Sequence, residues 1–329
     1  MTFNQFVLNE QYQKVKGLGD RLVLIKKQIN WKPFIPLISS VFYDNKKQGG
    51  RPHTDEIVIV RCLILQGLYG LSDQELEFQM NDRLSFRNFA GFPERVPDFS
   101  TIWKIRERLQ KSGADVKIWN ELQRQLDEMG YKVQSGMIQD ATIIKSDLGR
   151  KRNAKEKLAE QRGEKIKYTK KQLSHIDLDA KFTIKRNQVF FGYKVHAKLD
   201  KDFYLIRKLA ITPANVHDGN IDLSEPGDIA MYRDRGYCGK PLKYACVNDR
   251  TMIRKDSSSQ WVKQTNKSIS KARVPGERPF AVIKEVFNGT RTKVKNLARV
   301  AIKELFKYFG YNLYQLVTLK RKELALATS

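Results

Sequence analysis

Residues 136–146 read GMIQDATIIKS. Met137, Ile138, Thr142, Ile143 and Ile144 form a short apolar, β-branched run, the composition of a strand in a covered sheet. Asp140 interrupts it. An unpaired carboxylate inside such a strand is costly unless a cation or strong donors meet it. One stretch therefore specifies both a buried strand and a site for positive charge.

Downstream, FFGYKVHAKLD (190–200) and FYLIRKLAITPAN (203–215) read as two further strands around the turn-forming DKD, with Asp200 and Asp202 as turn residues. DIAMYRDRGY (228–237) predicts a fourth strand, with Asp234 where strand becomes loop, the position at which α/β sheets collect chemistry. CGKPLKYACVNDR (238–250) predicts a short helix and TMIRK (251–255) a fifth strand. From Gly276 to about Tyr314 the pattern is mainly helical. Strands followed by helices imply an α/β domain over residues 131–329.

Upstream, residues 1–130 predict a mostly helical region. TDEIVIVRCLILQGLYG (54–70) offers Thr54 as N-cap and Asp55 and Glu56 in the first turn. SDQELEFQM (72–80) follows with a Ser72/Glu75 capping box, so the pair is compatible with a helix-turn-helix. FSTIWKIRERLQKSG (99–113) predicts another capped helix, carrying Lys104, Arg106 and Arg108, and KIWNELQRQLDEMG closes the region at Gly130.

The chain has 329 residues, 41% of them hydrophobic, and a net charge of +25. That supports a real core and a polyanionic partner. The longest apolar run, IVIVRCLILQGLYGL, is broken by Arg61 and glycines, and no secretory leader is apparent, so nucleic acid is favoured over a membrane. Three cysteines without CxxC spacing suit a reducing cytoplasm. Two stretches concentrate the positive charge. Ten basic residues, Arg150, Lys151 and Arg152 among them, lie between Leu148 and Gln172, within a basic insertion near 148–188. A second insertion near 256–275 reads as a polar loop with Trp261, Lys263, Lys267, Lys271 and Arg273.

VPGERPFAVIKEVF (274–287) then starts a helix with Glu277, puts Lys284 about two turns on, and sets Phe280, Ile283 and Phe287 as a core-facing stripe. Asp140, Asp234 and Glu277 are separated by 94 and 43 positions and can converge if the two strands are neighbours. Oxygen ligands without histidine or cysteine suit Mg²⁺ or Mn²⁺. Asp218 competes as second carboxylate, but its place before a helix suggests an N-cap. His196 and His217 read as structural, with second-sphere groups or phosphate contacts as the alternative. Trp261 reads either as a packing residue or as a surface for an unpaired base.

At these residues the chain resembles the DDE transposases of the insertion-sequence-five family. The matching blocks are DATII, FFGYKVHAKLD, ITPANVHDGN, YRDRGYCGKP and GERPFAVIKEVF, in the family's order. WKPFIPLISSVFY, GGRPHTDEIVIVRCLILQGLYGLSDQELE, FRNFAGF and PDFSTIWKIRERL match in the N-terminal half, so the likeness runs from about Trp31 to Tyr314. The resemblance implies a ribonuclease-H-like mixed sheet with flanking helices, preceded by a helical DNA-binding region. It implies Asp140, Asp234 and Glu277 as the metal-binding triad, holding two Mg²⁺ (or Mn²⁺) ions, with Arg273 and Lys284 as basic partners; Ser270 stands where related enzymes have a tyrosine and takes no role. Terminal inverted repeats and target DNA are the implied partners, with a homodimer or higher oligomer in the DNA complex. Lys104, Arg106, Arg150, Lys151, Arg152, Lys263, Lys267 and Lys271 are the candidate phosphate contacts. No GxxxxGK[ST] loop is present, so ATP is not called for. A nucleoid-associated prokaryotic protein is the corresponding location. A DNA-binding relative without catalysis, or a Mg²⁺-dependent nuclease that does not join strands, are the competing readings.

Overall fold

A computed structural model describes residues 3–42, 53–149, 153–164, 166–254 and 259–327. The N-terminal half is helical: α1 (Phe3–Gly17), α2 (Arg21–Lys26), α3 (Phe34–Ser39), α4 (Glu56–Tyr69), α5 (Asp73–Asp82), α6 (Leu84–Ala90), α7 (Phe99–Ser112) and α8 (Ala114–Glu128). Strand β1 (Met137–Lys145) follows, then the short helices α9 (Ala154–Gln161) and α10 (Lys170–Leu173). Next come β2 (Lys181–Lys185), β3 (Gln188–Asp200), β4 (Ile206–Pro213), β5 (Ala230–Arg233) and β6 (Asn248–Thr251). Helices α11 (Gln260–Arg273), α12 (Glu277–Ala281) and α13 (Leu297–Ala327) close the chain.

The strands form one mixed sheet in the order β2-β3-β1-β5-β6, with β4 also paired to β3. The long β3 runs antiparallel to β1 on one side and is shared by β2 and then β4 along the other. On the far side β1 pairs in parallel with β5, and β5 in parallel with β6. An antiparallel meander joined through β1 to a parallel pair is the ribonuclease-H-like sheet that the resemblance implies.

Helix α4 is buried along most of its length, which explains why its sequence is apolar all round rather than on one stripe. It crosses α13 closely. A Cβ on Gly67 would lie 2.7 Å from the Lys307 Cα, and one on Gly310 would lie 2.9 Å from the Leu68 side chain. One apolar core runs through this crossing to Ile138, Val195 and Leu199 of the sheet and takes in Phe280, Ile283 and Phe287, the stripe read as core-facing. Among the described residues no helix is long and apolar enough to cross a membrane.

Several local expectations need correction. Asp55, not Thr54, caps α4 by accepting from Ile57 and Val58. Ser72 caps α5, but Glu75 turns to Gln79, so only half of the capping box forms. Residues 238–247 make turns instead of a helix, and the strand read as TMIRK runs earlier, over Asn248–Thr251. The polar loop expected over 256–275 is the amphipathic helix α11, whose Val262, Asn266 and Ile269 face inward. Asn266 holds it by bonding both backbone groups of Ile253. Strand β2 was missed, because KFTIK carries charge at both ends and its apolar residues are mostly exposed.

Candidate active site

Asp140 sits in the middle of β1 with Ile138 and Thr142 on its side of the strand. The parallel register pairs Ile138 with Tyr232. Asp140 lies two residues beyond Ile138 on β1, Asp234 two beyond Tyr232 and just past the end of β5, and the charge of one reaches the other. Two neighbouring carboxylates repel, and the effect is visible in Asp140. Burial raises its proton affinity, and the charge of Asp234 raises it further, while Arg273 and Lys185 act in the opposite direction.

Three features hold the pair. Asp140 Oδ1 accepts from the Ala141 amide at 2.8 Å, and its Oδ2 lies 3.6 Å from Arg273 Nη2. Asp234 caps the single 3₁₀ turn Arg235–Tyr237, accepting from the Gly236 amide at 2.8 Å. Tyr237 is buried beside them, and the negative charges of Asp218, Asp140 and Asp234 all make its phenol harder to ionise, after burial itself. Sequence reasoning gave Tyr237 no place.

Asp218 is not a helix cap. His217 caps the 3₁₀ turn Asp218–Asn220, its Nδ1 accepting from the Gly219 amide. Asp218 instead pairs with Lys194 at 2.8 Å. The cap role read for Asp218 thus belongs to His217, while Asp234 caps the neighbouring turn Arg235–Tyr237. The Asp218 turn packs against the Asp234 turn, a Cβ on Gly219 coming 3.2 Å from the Gly236 carbonyl. His196 is fully buried, bonds Thr212 Oγ1 at 2.9 Å, and is pushed by burial down to about 4, so it stays neutral in the sheet.

Glu277 opens α12 and is exposed. The turn before it is pressed onto β1: a Cβ on Gly276 would come 2.9 Å from Ile138 Cγ2. Glu277 thus stands one turn beyond Arg273, over the strand that carries Asp140, but among the described residues no three His, Cys, Asp or Glu side chains are close enough to hold a metal together. Asp140 and Asp234 lie within electrostatic reach of each other, and Glu277 does not join them in such a group in this conformation.

The basic candidates divide. Lys263, Lys267 and Lys271 are exposed and recur every fourth residue along α11, one row on its outer face that ends near Arg273. Lys104 is exposed on α7. Arg106 is a correction: it is 1% exposed and is held by Asp73, at 2.6 and 2.8 Å, and by Gln66 at 3.0 Å. No phosphate can reach it. Arg150, Lys151 and Arg152 lie outside the described residues. Helices α4 and α5 follow each other across a short turn, but α5 carries Asp73, Glu75, Glu77 and Asp82 and no Lys or Arg, a charge that DNA repels.

Lys284 lies in a π-helical turn, Val282–Val286, and is half-buried. Burial and the nearby Lys185 lower its proton affinity, and Asp140 partly offsets them. It lines a cavity with Lys145, Lys185, Arg186 and Phe190. Those four neighbours were not singled out from sequence, since they lie on three separate segments.

Residues 131–313 match the family model described as Transposase DDE domain, and residues 9–108 match the one described as Transposase domain (DUF772). The first spans more than half of the chain, and the chain belongs to the DDE transposases. No solved structure matches it. It is accordingly an enzyme of the polynucleotidyl-transferase type, a DNA-binding protein whose family depends on divalent metal.

Proposed function

We propose that this protein is the transposase of an insertion sequence, binding the terminal inverted repeats and catalysing Mg²⁺-dependent cleavage and strand transfer. The observation that supports this most is that Asp140 on β1 and Asp234 just past the end of β5 act on each other electrostatically, with Arg273 3.6 Å from Asp140. Asp140, Asp234 and Glu277 would hold the metal, Glu277 moving in from its exposed position one turn past Arg273. Two Mg²⁺ or Mn²⁺ ions held there would supply the positive charge that an in-line phosphodiester displacement calls for.

The protein's own residues do the rest. Arg273 favours the ionised form of Asp140. The lysine row of α11 leads the phosphate backbone toward that arginine. Lys284 takes a phosphate beside Asp140. The basic stretch including Arg150, Lys151 and Arg152 adds cationic surface, as does Lys104. A water attacks at the transposon end, and the freed 3′-hydroxyl attacks target DNA directly, so no protein nucleophile is required. Two ends held together call for a homodimer or larger assembly, without ATP.

Strand transfer with pre-cut ends in Mg²⁺ tests the reading. Asp140→Asn, Asp234→Asn and Glu277→Gln should each lower joining by at least about a thousandfold, with end binding in EDTA held near the wild-type level. Robust joining by any of the three variants sinks the site. Cleavage without joining by the wild type reduces the protein to a nuclease, and binding with no metal-dependent reaction reduces it to a DNA binder.

A further inference from the structure

Asp234 stands where the sheet no longer holds it. The ladder between β1 and β5 stops at Ile138 and Tyr232, and β5 itself ends at Arg233, the last residue it pairs with β6. The next residue carries a carboxylate that Asp140 repels. No strand pairing opposes that repulsion. What keeps Asp234 within reach of Asp140 must therefore come from the turn that follows it.

That turn ends in Tyr237, whose amide donates to the Asp234 carbonyl at 3.2 Å. Tyr237 is 1% exposed, and its ring lies against Arg233, the guanidinium carbon 5.5 Å from the ring centroid. Arg233 is itself fixed, donating to Thr251 Oγ1 and the Lys240 carbonyl at 2.8 Å and to Asp249 at 2.7 Å. The ring is thus held from the β6 side. Its hydroxyl is buried and meets no hydrogen-bond partner among the described residues. A buried phenol keeps an O–H donor that costs free energy until it finds an acceptor.

Three carboxylates surround that donor. After burial itself, Asp218 opposes ionisation of the phenol most, ahead of Asp140 and Asp234. Asp140 and Asp234 each accept a backbone amide already, whereas among the described residues Asp218 has only Lys194, at 2.8 Å, within ion-pair distance. The Asp218 Oδ1 is buried and has no well-aligned hydrogen-bond donor. Lys194 also donates to the Val216 carbonyl at 2.8 Å, so Asp218 is anchored on β3, the strand that pairs with β1, β2 and β4. The turns carrying Asp218 and Tyr237 already pack together through Gly219 and Gly236. We infer that Tyr237 is a positioning residue for the acid pair: its phenol donates a hydrogen bond to the Asp218 carboxylate, tethers the Asp234 turn to β3 through Lys194, and so holds Asp234 near Asp140. The inference rests on the reading of Asp140 and Asp234 as metal ligands, and Tyr237 acts through Asp234 rather than on DNA.

The first test follows amide hydrogen exchange of the full-length protein in EDTA. Tyr237→Phe removes the hydroxyl and keeps the ring, so the thermal midpoint should hold while the Gly219 and Gly236 amides exchange about tenfold faster. Asp218→Ala should do the same. The double variant should exchange no faster than the quicker single one, because both changes remove one bond. The second test titrates Mn²⁺ into the same proteins, read by water-proton relaxation, with Asp140→Asn as the control for the site. Tyr237→Phe should take up Mn²⁺ about tenfold more weakly. In joining assays it should need more Mg²⁺ for the half-maximal rate, and saturating Mg²⁺ should restore most of that rate. Unchanged exchange in Tyr237→Phe, or additive losses in the double variant, overturn the tether. Faster exchange with unchanged Mn²⁺ uptake makes Tyr237 a packing residue and overturns its positioning role. Wild-type Mn²⁺ uptake that survives Asp140→Asn sinks the metal-site reading and this inference with it. That result comes from the control and not from Tyr237→Phe, so the two failures are distinguishable.

Discussion

Arg273 Nη2 lies 3.6 Å from Asp140 Oδ2, linking the last turn of α11 to the middle of β1. The contact opposes two influences, burial and the charge of Asp234, that both raise the proton affinity of Asp140. Sequence places the two residues 133 positions apart, and only the packing of α11 and α12 over β1 makes them partners.

Arg273→Gln removes the cation while keeping a polar side chain. With its opposing effect gone, Asp140 stays protonated to higher pH. The acid limb of the pH profile for kcat/KM should move upward, with activity recovering toward the alkaline side. An unmoved acid limb would show that Arg273 acts on DNA alone and not on Asp140.

The exposed and the buried cations should behave in opposite ways. Replacing Lys263, Lys267 and Lys271 together by Gln should lower the salt slope of DNA binding by about three, with no change in thermal stability. Lys104→Gln should lower it by about one. Arg106→Ala should leave the slope alone and cost about 3–5 kcal/mol of stability, because it strands Asp73 in a part-buried site. Salt titrations and chemical denaturation of the same variants check both arms.

Lys303 offers a pH test of the helical half. It lies on α13 among Arg106, Asp73, Lys307 and Glu304, donates to the Leu71 carbonyl at 3.1 Å, and burial pushes it down to about 7. The unfolded chain keeps an ordinary lysine, so above 7 it binds more protons than the folded one. Stability therefore rises with pH from about 7 to about 10.5, and below 7 the full cost of the buried charge is present. Lys303→Met should stabilise the protein at neutral pH by up to about 4 kcal/mol and flatten that rise. Parallel wild-type and variant stability curves across this range would refute the assignment.

Local pattern made much of the fold legible. The apolar run with Asp140, the strands of FFGYKVHAKLD and LIRKLAITP, and the core stripe Phe280, Ile283 and Phe287 depend on neighbours a few positions away, and periodicity reports those neighbours. The strand β2 and the helix α11 escaped the same reasoning. One is an exposed hairpin arm whose pattern is half charge, and the other buries only Val262, Asn266 and Ile269 beneath a polar surface.

Residue types and their order along the chain were enough to indicate an α/β sheet, a polyanionic partner and three acids worth watching. Whether those acids meet was a matter of three dimensions. Asp140 on β1 comes within electrostatic reach of Asp234 just past the end of β5, while Glu277 stands exposed one turn past Arg273. Lys104 and Arg106, two positions apart on one helix, face solvent and core respectively, because the packing of α5 selects which side of α7 is covered. A strand alternation or a helical period says that two faces exist. Only the neighbour laid against them decides which one is wet.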